Sequence, residues 1–226
     1  TCGDLLLQPT LLAGAQDALQ ALLEESRTLS LTTIVGLPLA VEGKLYNCAA
    51  VLHRGQLLGI VPKTNLPNYG EFYEERWFTP APAEVKTISL LGQEVPFGSR
   101  LLFCCRELPE YKLAVELCED LWVASPPSIR HAVAGATVIV NCSASDETIG
   151  KAEYRRSLVT GQSARLMAGY LYADAGRGES TTDMVFAGHD LIAENGKLLA
   201  ETALFTNDLI LTELDVHRLF AERRRT

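Results

Sequence analysis

The chain has 226 residues, of which 47% are hydrophobic and 21% charged, and its net charge is −8. This length is sufficient for one well-buried domain. The negative charge argues against nonspecific binding to nucleic acid or to an acidic membrane surface. Six cysteines without a CxxC spacing, four scattered histidines and no apolar run of spanning length argue against a disulfide framework, a zinc site and a membrane span. We therefore predict a cytoplasmic globular protein without a metal site.

The first half of the chain is predicted to be a helix followed by strands. Apolar residues recur at helical spacing over residues 8–29, with Pro9 near the first turn. Arg54-Gly55 separates two apolar runs and predicts a hairpin turn. Residues 92–94 and 96–98 are predicted turns. The predicted strands are residues 32–37, 46–52, 56–62, 85–90 and 100–106.

The second half is predicted to alternate strands with helices before it returns to hairpins. Asn195-Gly196 is a strong hairpin turn signal. The predicted helices are residues 128–134 and 152–169, and the predicted β-segments are residues 113–117, 137–141, 170–173, 183–189, 191–194, 198–202 and 209–214. Alternation in the middle with hairpins near both ends predicts an α/β fold with two mixed sheets, layered as an α-β-β-α sandwich.

Cys118 is the residue with the most unusual sequence neighbours. It follows the apolar run 113–115, with Glu116 before it and Glu119 and Asp120 after it. Acidic neighbours oppose thiolate formation, so a cysteine that reacted here would need help from a cation or a base. A buried structural thiol is the simpler interpretation of a lone cysteine.

Lys63 is a candidate for that cation. It directly follows the predicted strand 56–62. It lies at the start of an irregular segment, residues 62–78, that is rich in aromatic and ionisable side chains. Such segments often carry binding or catalytic residues. The alternatives are an ordinary surface loop and a solvated lysine. A papain-like arrangement with His53 or His131 as the base is a further alternative, although neither has polar neighbours that would favour it.

Four segments resemble the nitrilase (carbon–nitrogen hydrolase) superfamily, and within it the glutaminase domains of glutamine-dependent NAD synthetases. They are residues 61–78, 115–122, 143–156 and 172–183. The resemblance covers nearly the whole chain, and it implies a nitrilase-like sandwich and a Glu-Lys-Cys triad. Cys118 would be the nucleophile, and Lys63 and the Glu119 amide would stabilise the oxyanion. Glu71 would help to position the substrate and the lysine.

The resemblance also implies a pocket for L-glutamine. Glu74 would recognise the α-ammonium group, and Ser145 with Lys151 would hold the α-carboxylate. The residues that fall at pocket positions are Tyr69, Phe72, Glu74, Glu119, Ser145 and Lys151. Another carbon–nitrogen hydrolase, such as an ω-amidase or a carbamoylase, and a noncatalytic oligomerisation module of the same fold are the alternative functions.

At its ends the chain departs from the family pattern. The general-base glutamate of the family precedes a run like Thr1-Cys2-Gly3-Asp4, so we expect that residue and the first strands to lie upstream of Thr1. We expect residues 1–226 to be an N-terminally truncated glutaminase domain. The family continues into a synthetase domain of the same polypeptide, which uses ATP and Mg. This domain itself is expected to bind no cofactor and to form homo-oligomers.

Overall fold

The structure is a computed structural model that describes residues 2–180 and 184–225. The described chain divides into two compact units. The first unit is Cys2–Leu101, and the second begins at Leu102.

The first unit consists of one long helix and a five-stranded mixed sheet. A 3-10 helix, Gly3–Leu7, precedes the long helix. The apolar face of the long helix buries Leu19 and Leu23 against the sheet. The sheet order is β1-β2-β3-β5-β4, and only the β3–β5 pair is parallel. The elements are α1 (Pro9–Ser26), β1 (Thr32–Val41), β2 (Lys44–His53), β3 (Gln56–Pro62), β4 (Lys86–Leu90) and β5 (Gln93–Phe97).

Three hairpins of the first unit turn at a residue followed by glycine, with positive φ at both positions. Arg54 and Gly55 have φ values of 47° and 79°, which confirms the predicted hairpin. Glu42-Gly43 and Leu91-Gly92 have the same conformation. Two positive φ angles give a turn whose twist matches that of antiparallel strands, and glycine adopts the second without strain.

The second unit consists of a six-stranded mixed sheet and three helices. The sheet order is β11-β10-β9-β8-β7-β6, in which β7, β8 and β9 are parallel neighbours. Helices α2 and α3 make the two connections between these parallel strands, as parallel pairing requires. The elements are β6 (Phe103–Cys104), β7 (Lys112–Leu117), α2 (Pro127–Val133), β8 (Val138–Ser143), α3 (Lys151–Leu166), β9 (Gly169–Asp174), β10 (Leu191–Glu194), β11 (Lys197–Glu201) and α4 (Val216–Arg223).

The predicted α/β class with two mixed sheets is confirmed, and most predicted elements are present. The Asn195-Gly196 turn joins β10 to β11. Two predictions were wrong at prolines, which are typical of strand ends and turns. Strand β1 continues through Pro38, which an edge strand tolerates because its missing N–H can face outward. Strand β5, which includes Pro96, was predicted as turns.

Other corrections lie in the second unit. The strand predicted over residues 100–106 shrinks to Phe103–Cys104. Residue 183 lies outside the described residues, and residues 184–189 contain only an isolated bridge between Phe186 and Asp146. Residues 209–214 form no strand, and the side chains of Leu209 and Leu211 are exposed. Helix α4 was not predicted. Within residues 2–180 and 184–225, no helix has the length and apolarity needed to cross a membrane.

Candidate active site

Cys118 lies at the junction between β7 and a 3-10 helix, Cys118–Leu121. Its φ of 42° is in the left-handed region, which costs a non-glycine residue about 1 kcal/mol or more. The residue is neither fully buried nor fully exposed. A side chain at the carboxyl end of a buried parallel strand is rigidly placed, and this edge of an α/β sheet is where ligands usually bind. Cys118 is therefore held in a fixed position at this edge of the sheet.

Two side chains hold the backbone on either side of Cys118. The buried Asp120 carboxylate accepts a hydrogen bond from the Leu117 N–H at 3.1 Å. The Asn141 Oδ1 atom accepts one from the Cys118 N–H at 2.9 Å. Asn141 lies on the neighbouring strand β8, opposite Glu116 in the register. These contacts offset the strain of the positive φ angle at the cysteine.

Ser145 and Lys151, the predicted carboxylate-binding residues, follow β8 in the same unit. Ser145 is buried, and its Oγ accepts a hydrogen bond from Arg155 Nη2 at 3.2 Å. The Lys151 ammonium contacts the Asp146 carboxylate and lies 5.3 Å from the centroid of the Trp122 ring. Lys151 is therefore mostly covered, and its cation is fixed by a carboxylate and an aromatic face.

Arg155 is a buried cation in this region that was not predicted. It is fully buried, and it binds Glu147 Oε2 and His189 Nδ1 at 2.9 Å each. Asp174, at the end of β9, accepts a hydrogen bond from the Ser145 N–H at 2.8 Å. Burial raises the pKa of Asp174 to about 6, although Ser145 and Arg155 oppose the shift. Arg155 and Asp174 thus hold the segment after β8 from its two sides.

Lys63, in the first unit, directly follows β3. Its side chain is 1% exposed, and its Nζ lies 2.7 and 2.8 Å from the two carboxylate oxygens of Glu74. Burial of an ammonium is costly unless it is paired and hydrogen-bonded, so Glu74 stabilises the charged lysine. Lys63 is therefore not a solvated surface lysine, which was one of the alternatives considered from the sequence.

Glu71 and Glu74 differ in their surroundings. Glu71 is exposed. Glu74 begins a 3-10 helix, Glu74–Arg76, which carries its carboxylate to Lys63. Glu74 is thus the carboxylate that pairs with Lys63 in the structure, and the positioning role of Glu71 stays a prediction. The predicted part of Glu71 in substrate binding stays a prediction.

The segment 62–78 is ordered by contacts among its aromatic and charged side chains. The rings of Tyr69 and Phe72 pack edge to face, with centroids 6.1 Å apart, although Tyr69 is 59% exposed. Near the chain start, the Asp4 carboxylate accepts hydrogen bonds from Arg76 and from Trp77 Nε1. These hydrogen bonds lower the pKa of Asp4 to about 2. The segment is a structured loop that presents an exposed tyrosine.

The two histidines considered as alternative bases lie in regular elements, His53 at the end of β2 and His131 in α2. His131 lies buried in α2, and His53 Nδ1 lies 3.1 Å from the Leu31 carbonyl oxygen. Across the described ranges, no group of three or more His, Cys, Asp or Glu side chains could hold a metal ion.

Residues 4–224 match the carbon–nitrogen hydrolase family. The chain belongs to this family. The match covers nearly all of the chain, so both units are parts of one carbon–nitrogen hydrolase domain rather than two unrelated domains.

A relative with high identity is the glutamine-dependent NAD(+) synthetase of Mycobacterium tuberculosis (strain ATCC 25618 / H37Rv). It is 48% identical over 224 residues, which are 98% of this chain and 33% of the relative. A solved glutamine-dependent NAD(+) synthetase from Cytophaga hutchinsonii is 32% identical, with a TM-score of 0.75, over 88% of this chain and 32% of that one. This carbon–nitrogen hydrolase chain spans about a third of the length of both proteins.

The fold extends to more distant members. Saccharomyces cerevisiae Nit3, a member of branch 10 of the nitrilase superfamily, has a TM-score of 0.69 at 18% identity over 92% of this chain and 69% of that one. At this identity the comparison concerns the fold alone, and it confirms the predicted nitrilase-like fold.

The sequence alone did not identify the buried polar groups that are hydrogen-bonded to Cys118, directly or through one another. Glu116, Asn141 and Tyr170 are buried in β7, β8 and β9, whereas the sequence predicted only an acidic neighbour of Cys118 and two strand residues. One signal could have found Asn141. It lies near the carboxyl end of the strand that follows Cys118 in the chain, where a polar residue in an apolar strand often faces a site.

Proposed function

We propose that this chain is the glutamine-hydrolysing part of a glutamine-dependent NAD synthetase. The observation that carries the proposal is Cys118, which the sheet presents at a strained turn in a chain 48% identical to such a synthetase. Lys63, buried and paired with a carboxylate, supports the proposal independently.

In the proposed reaction, the Cys118 sulfur attacks the side-chain amide carbon of L-glutamine. The carbon–nitrogen bond of the tetrahedral intermediate breaks, and the nitrogen leaves as ammonia after it accepts a proton. The product is a γ-glutamyl thioester. Water then attacks the thioester, which releases glutamate and restores the thiol. In each half, negative charge develops on the former carbonyl oxygen.

Lys63 and the Glu119 N–H are the proposed donors to that oxyanion. An ammonium fixed before the reaction stabilises developing charge without reorganisation, and removal of one such donor typically slows catalysis by about 10²-fold or more. Glu74 suits this role of Lys63 because it keeps the buried amine charged and oriented. Glu119 is the second residue of the 3-10 helix that Cys118 begins, so its N–H is held by the same turn.

The proposed glutamine pocket uses Tyr69 and Phe72 for the aliphatic part of the substrate and polar groups for its α-substituents. Ser145 would donate to the α-carboxylate, and Lys151 would supply a positive charge. Asp146, which contacts Lys151, would keep that cation in place. Glu74 is proposed to contribute to the recognition of the α-ammonium group.

The ammonia would be used by an ATP- and Mg-dependent synthetase domain of the same polypeptide, which would convert deamido-NAD to NAD. This proposal rests on the two synthetases, of which the chain matches about a third. We also propose that the protein is cytoplasmic and homo-oligomeric.

A substrate panel tests the proposed function in the complete gene product. We expect ammonia release from L-glutamine to exceed that from ω-amides of keto acids and from N-carbamoyl amino acids, and Cys118→Ala to abolish it. A preference for either of the other substrates would identify an ω-amidase or a carbamoylase. Absence of hydrolysis of every substrate would favour a noncatalytic oligomerisation module.

A further inference from the structure

Asn141 contacts both polar backbone groups of Cys118. Its Oδ1 accepts from the Cys118 N–H at 2.9 Å, and its Nδ2 lies 3.4 Å from the Cys118 carbonyl oxygen. One side chain therefore restrains the peptide planes before and after the cysteine. Because a peptide unit is planar, the carbonyl of Cys118 and the N–H of Glu119 point in opposite directions. A contact that fixes the carbonyl consequently fixes the direction of the Glu119 N–H.

The orientation of the Asn141 amide is itself set by a buried hydrogen-bond chain. Asn141 Nδ2 donates to the Tyr170 hydroxyl at 3.2 Å, and that hydroxyl donates to Glu116 Oε1. The other oxygen of Glu116 accepts from the Ser128 N–H at 2.8 Å, at the start of α2. Asn141 and Tyr170 are 0% exposed and Glu116 is 1% exposed.

The hydrogen-bond chain has one consistent direction when Glu116 is ionised, which is its main state above its pKa of about 7. A carboxylate only accepts, so it takes the hydroxyl proton of Tyr170. The hydroxyl oxygen is then free to accept from Asn141, which places the NH₂ group towards Tyr170 and the carbonyl oxygen towards the Cys118 N–H. A reversed amide would set Nδ2 against another donor in a site without solvent, at a cost of about 1–3 kcal/mol.

We propose that Asn141, held by Tyr170 and Glu116, is a positioning residue that aims the Glu119 N–H at the oxyanion. The catalytic part of this inference rests on the proposed function, because it requires an oxyanion at that N–H. The structural part, the restraint of Cys118, does not depend on any reaction.

Asn141→Asp tests the catalytic part in the complete gene product. Aspartate keeps an acceptor for the Cys118 N–H, but it replaces the donor to the Cys118 carbonyl by a second oxygen, which repels that carbonyl. We expect kcat for L-glutamine to fall roughly 10²-fold, as for loss of an oxyanion donor, while KM changes less than about twofold. A residue that only supports the fold would instead lower the fraction of active protein. An unchanged kcat, or a loss confined to KM, would overturn the inference.

Tyr170→Phe tests the restraint without an assay of activity, and Tyr172→Phe is its matched control. Both tyrosines are buried in β9, but the Tyr172 hydroxyl bonds to Ser143 Oγ at 2.6 Å and not to Asn141. In protein labelled with ¹⁵N-cysteine, the Cys118 amide is identified by its loss in Cys118→Ala. We expect its hydrogen exchange to quicken roughly fivefold or more in Tyr170→Phe, the effect of one weakened hydrogen bond.

The Tyr172→Phe control tests the restraint of Cys118 separately from the proposed function, and Glu116→Gln is available if Tyr170→Phe does not fold. Equal exchange in Tyr170→Phe and Tyr172→Phe would overturn the proposed restraint. If Tyr170→Phe does not fold, Glu116→Gln alters the same chain from its far end, and there too an unchanged Cys118 exchange rate would count against the proposal. Wild-type protein that does not hydrolyse glutamine would contradict the proposed function and leave the exchange result standing.

Discussion

At the scale of single residues, two buried ionisable side chains depend on polar partners and so affect the stability of the domain. Lys63 and Glu116 are each 1% exposed, in different units, and each is stabilised by specific polar partners. From sequence, Lys63 was predicted at a strand end, and that placement is confirmed. Its carboxylate partner was not predicted, because spacing along an irregular loop does not reveal which glutamate points inward. The 3-10 helix Glu74–Arg76, seen only in the structure, places the Glu74 carboxylate next to Lys63.

Glu74→Ala and Glu71→Ala are predicted to differ strongly in stability. Loss of Glu74 leaves the buried ammonium of Lys63 without its carboxylate, whereas Glu71 is exposed. We expect Glu74→Ala to lower the free energy of unfolding by about 2 kcal/mol or more and Glu71→Ala to change it by about 0.5 kcal/mol or less. Urea unfolding of the two variants provides the comparison. Equal losses would contradict the pairing of Lys63 with Glu74.

Glu116 is predicted to make stability depend on pH. Burial raises the pKa of Glu116 from 4.5 to about 7, against hydrogen bonds from Tyr170 and Ser128 that lower it. The folded state therefore holds this proton more tightly than the unfolded state. The contribution of Glu116 is full below about pH 4.5 and is lost as the pH rises to about 7, by about 3 kcal/mol.

Glu116→Gln removes this titration and keeps the shape of the side chain. We expect the free energy of unfolding of the wild type, minus that of Glu116→Gln, to fall between pH 4.5 and pH 7.5. Groups that do not interact with Glu116 titrate equally in both proteins, so the difference isolates Glu116 and its direct partners. Urea titrations at several pH values would measure it, and a difference that rises with pH would show that the sign is wrong.

At the scale of elements, local turn chemistry was predictable and proline positions were misleading. Arg54-Gly55 and Asn195-Gly196 form the predicted hairpins because glycine accepts the positive φ that these turns need. Strand β1 extends through Pro38, whose missing N–H an edge strand tolerates, whereas β5 extends through Pro96 as an interior strand. The hydrogen bonds that link Glu116, Tyr170 and Asn141 were not predictable, because strand patterns do not show which buried side chains contact one another.

Gly188→Ala is predicted to be more destabilising than Gly43→Ala. Both glycines have positive φ, at 62° and 75°, so both substitutions carry similar backbone strain. A Cβ at Gly188 would lie 2.9 Å from the Thr206 carbonyl oxygen and 3.1 Å from Gly176 Cα, whereas at Gly43 no atom lies within 4 Å. Because backbone atoms cannot move aside cheaply, we expect an additional loss of about 1–3 kcal/mol at Gly188. Thermal or urea unfolding measures it, and equal losses would contradict the close approach.

At the scale of the whole molecule, the chain is a carbon–nitrogen hydrolase domain homologous to about a third of a glutamine-dependent NAD(+) synthetase. Composition predicted a globular protein, and the four segments around Lys63, Cys118, Ser145 and Asp174 predicted the family. The segment around Lys63 lies in the first unit, and the segments around Cys118, Ser145 and Asp174 lie in the second.

The proposal depends most directly on a covalent γ-glutamyl group at Cys118. The complete gene product should be mixed with L-glutamine, quenched rapidly in acid, digested and examined by mass spectrometry. We predict that the peptide containing Cys118 gains the mass of one γ-glutamyl group, that hydroxylamine removes it, and that Cys118→Ala shows neither adduct nor hydrolysis. The half-buried Cys142, whose pKa desolvation raises to about 11, should stay unmodified. An adduct on another cysteine, or glutamine hydrolysis that persists in Cys118→Ala, would contradict the proposed mechanism.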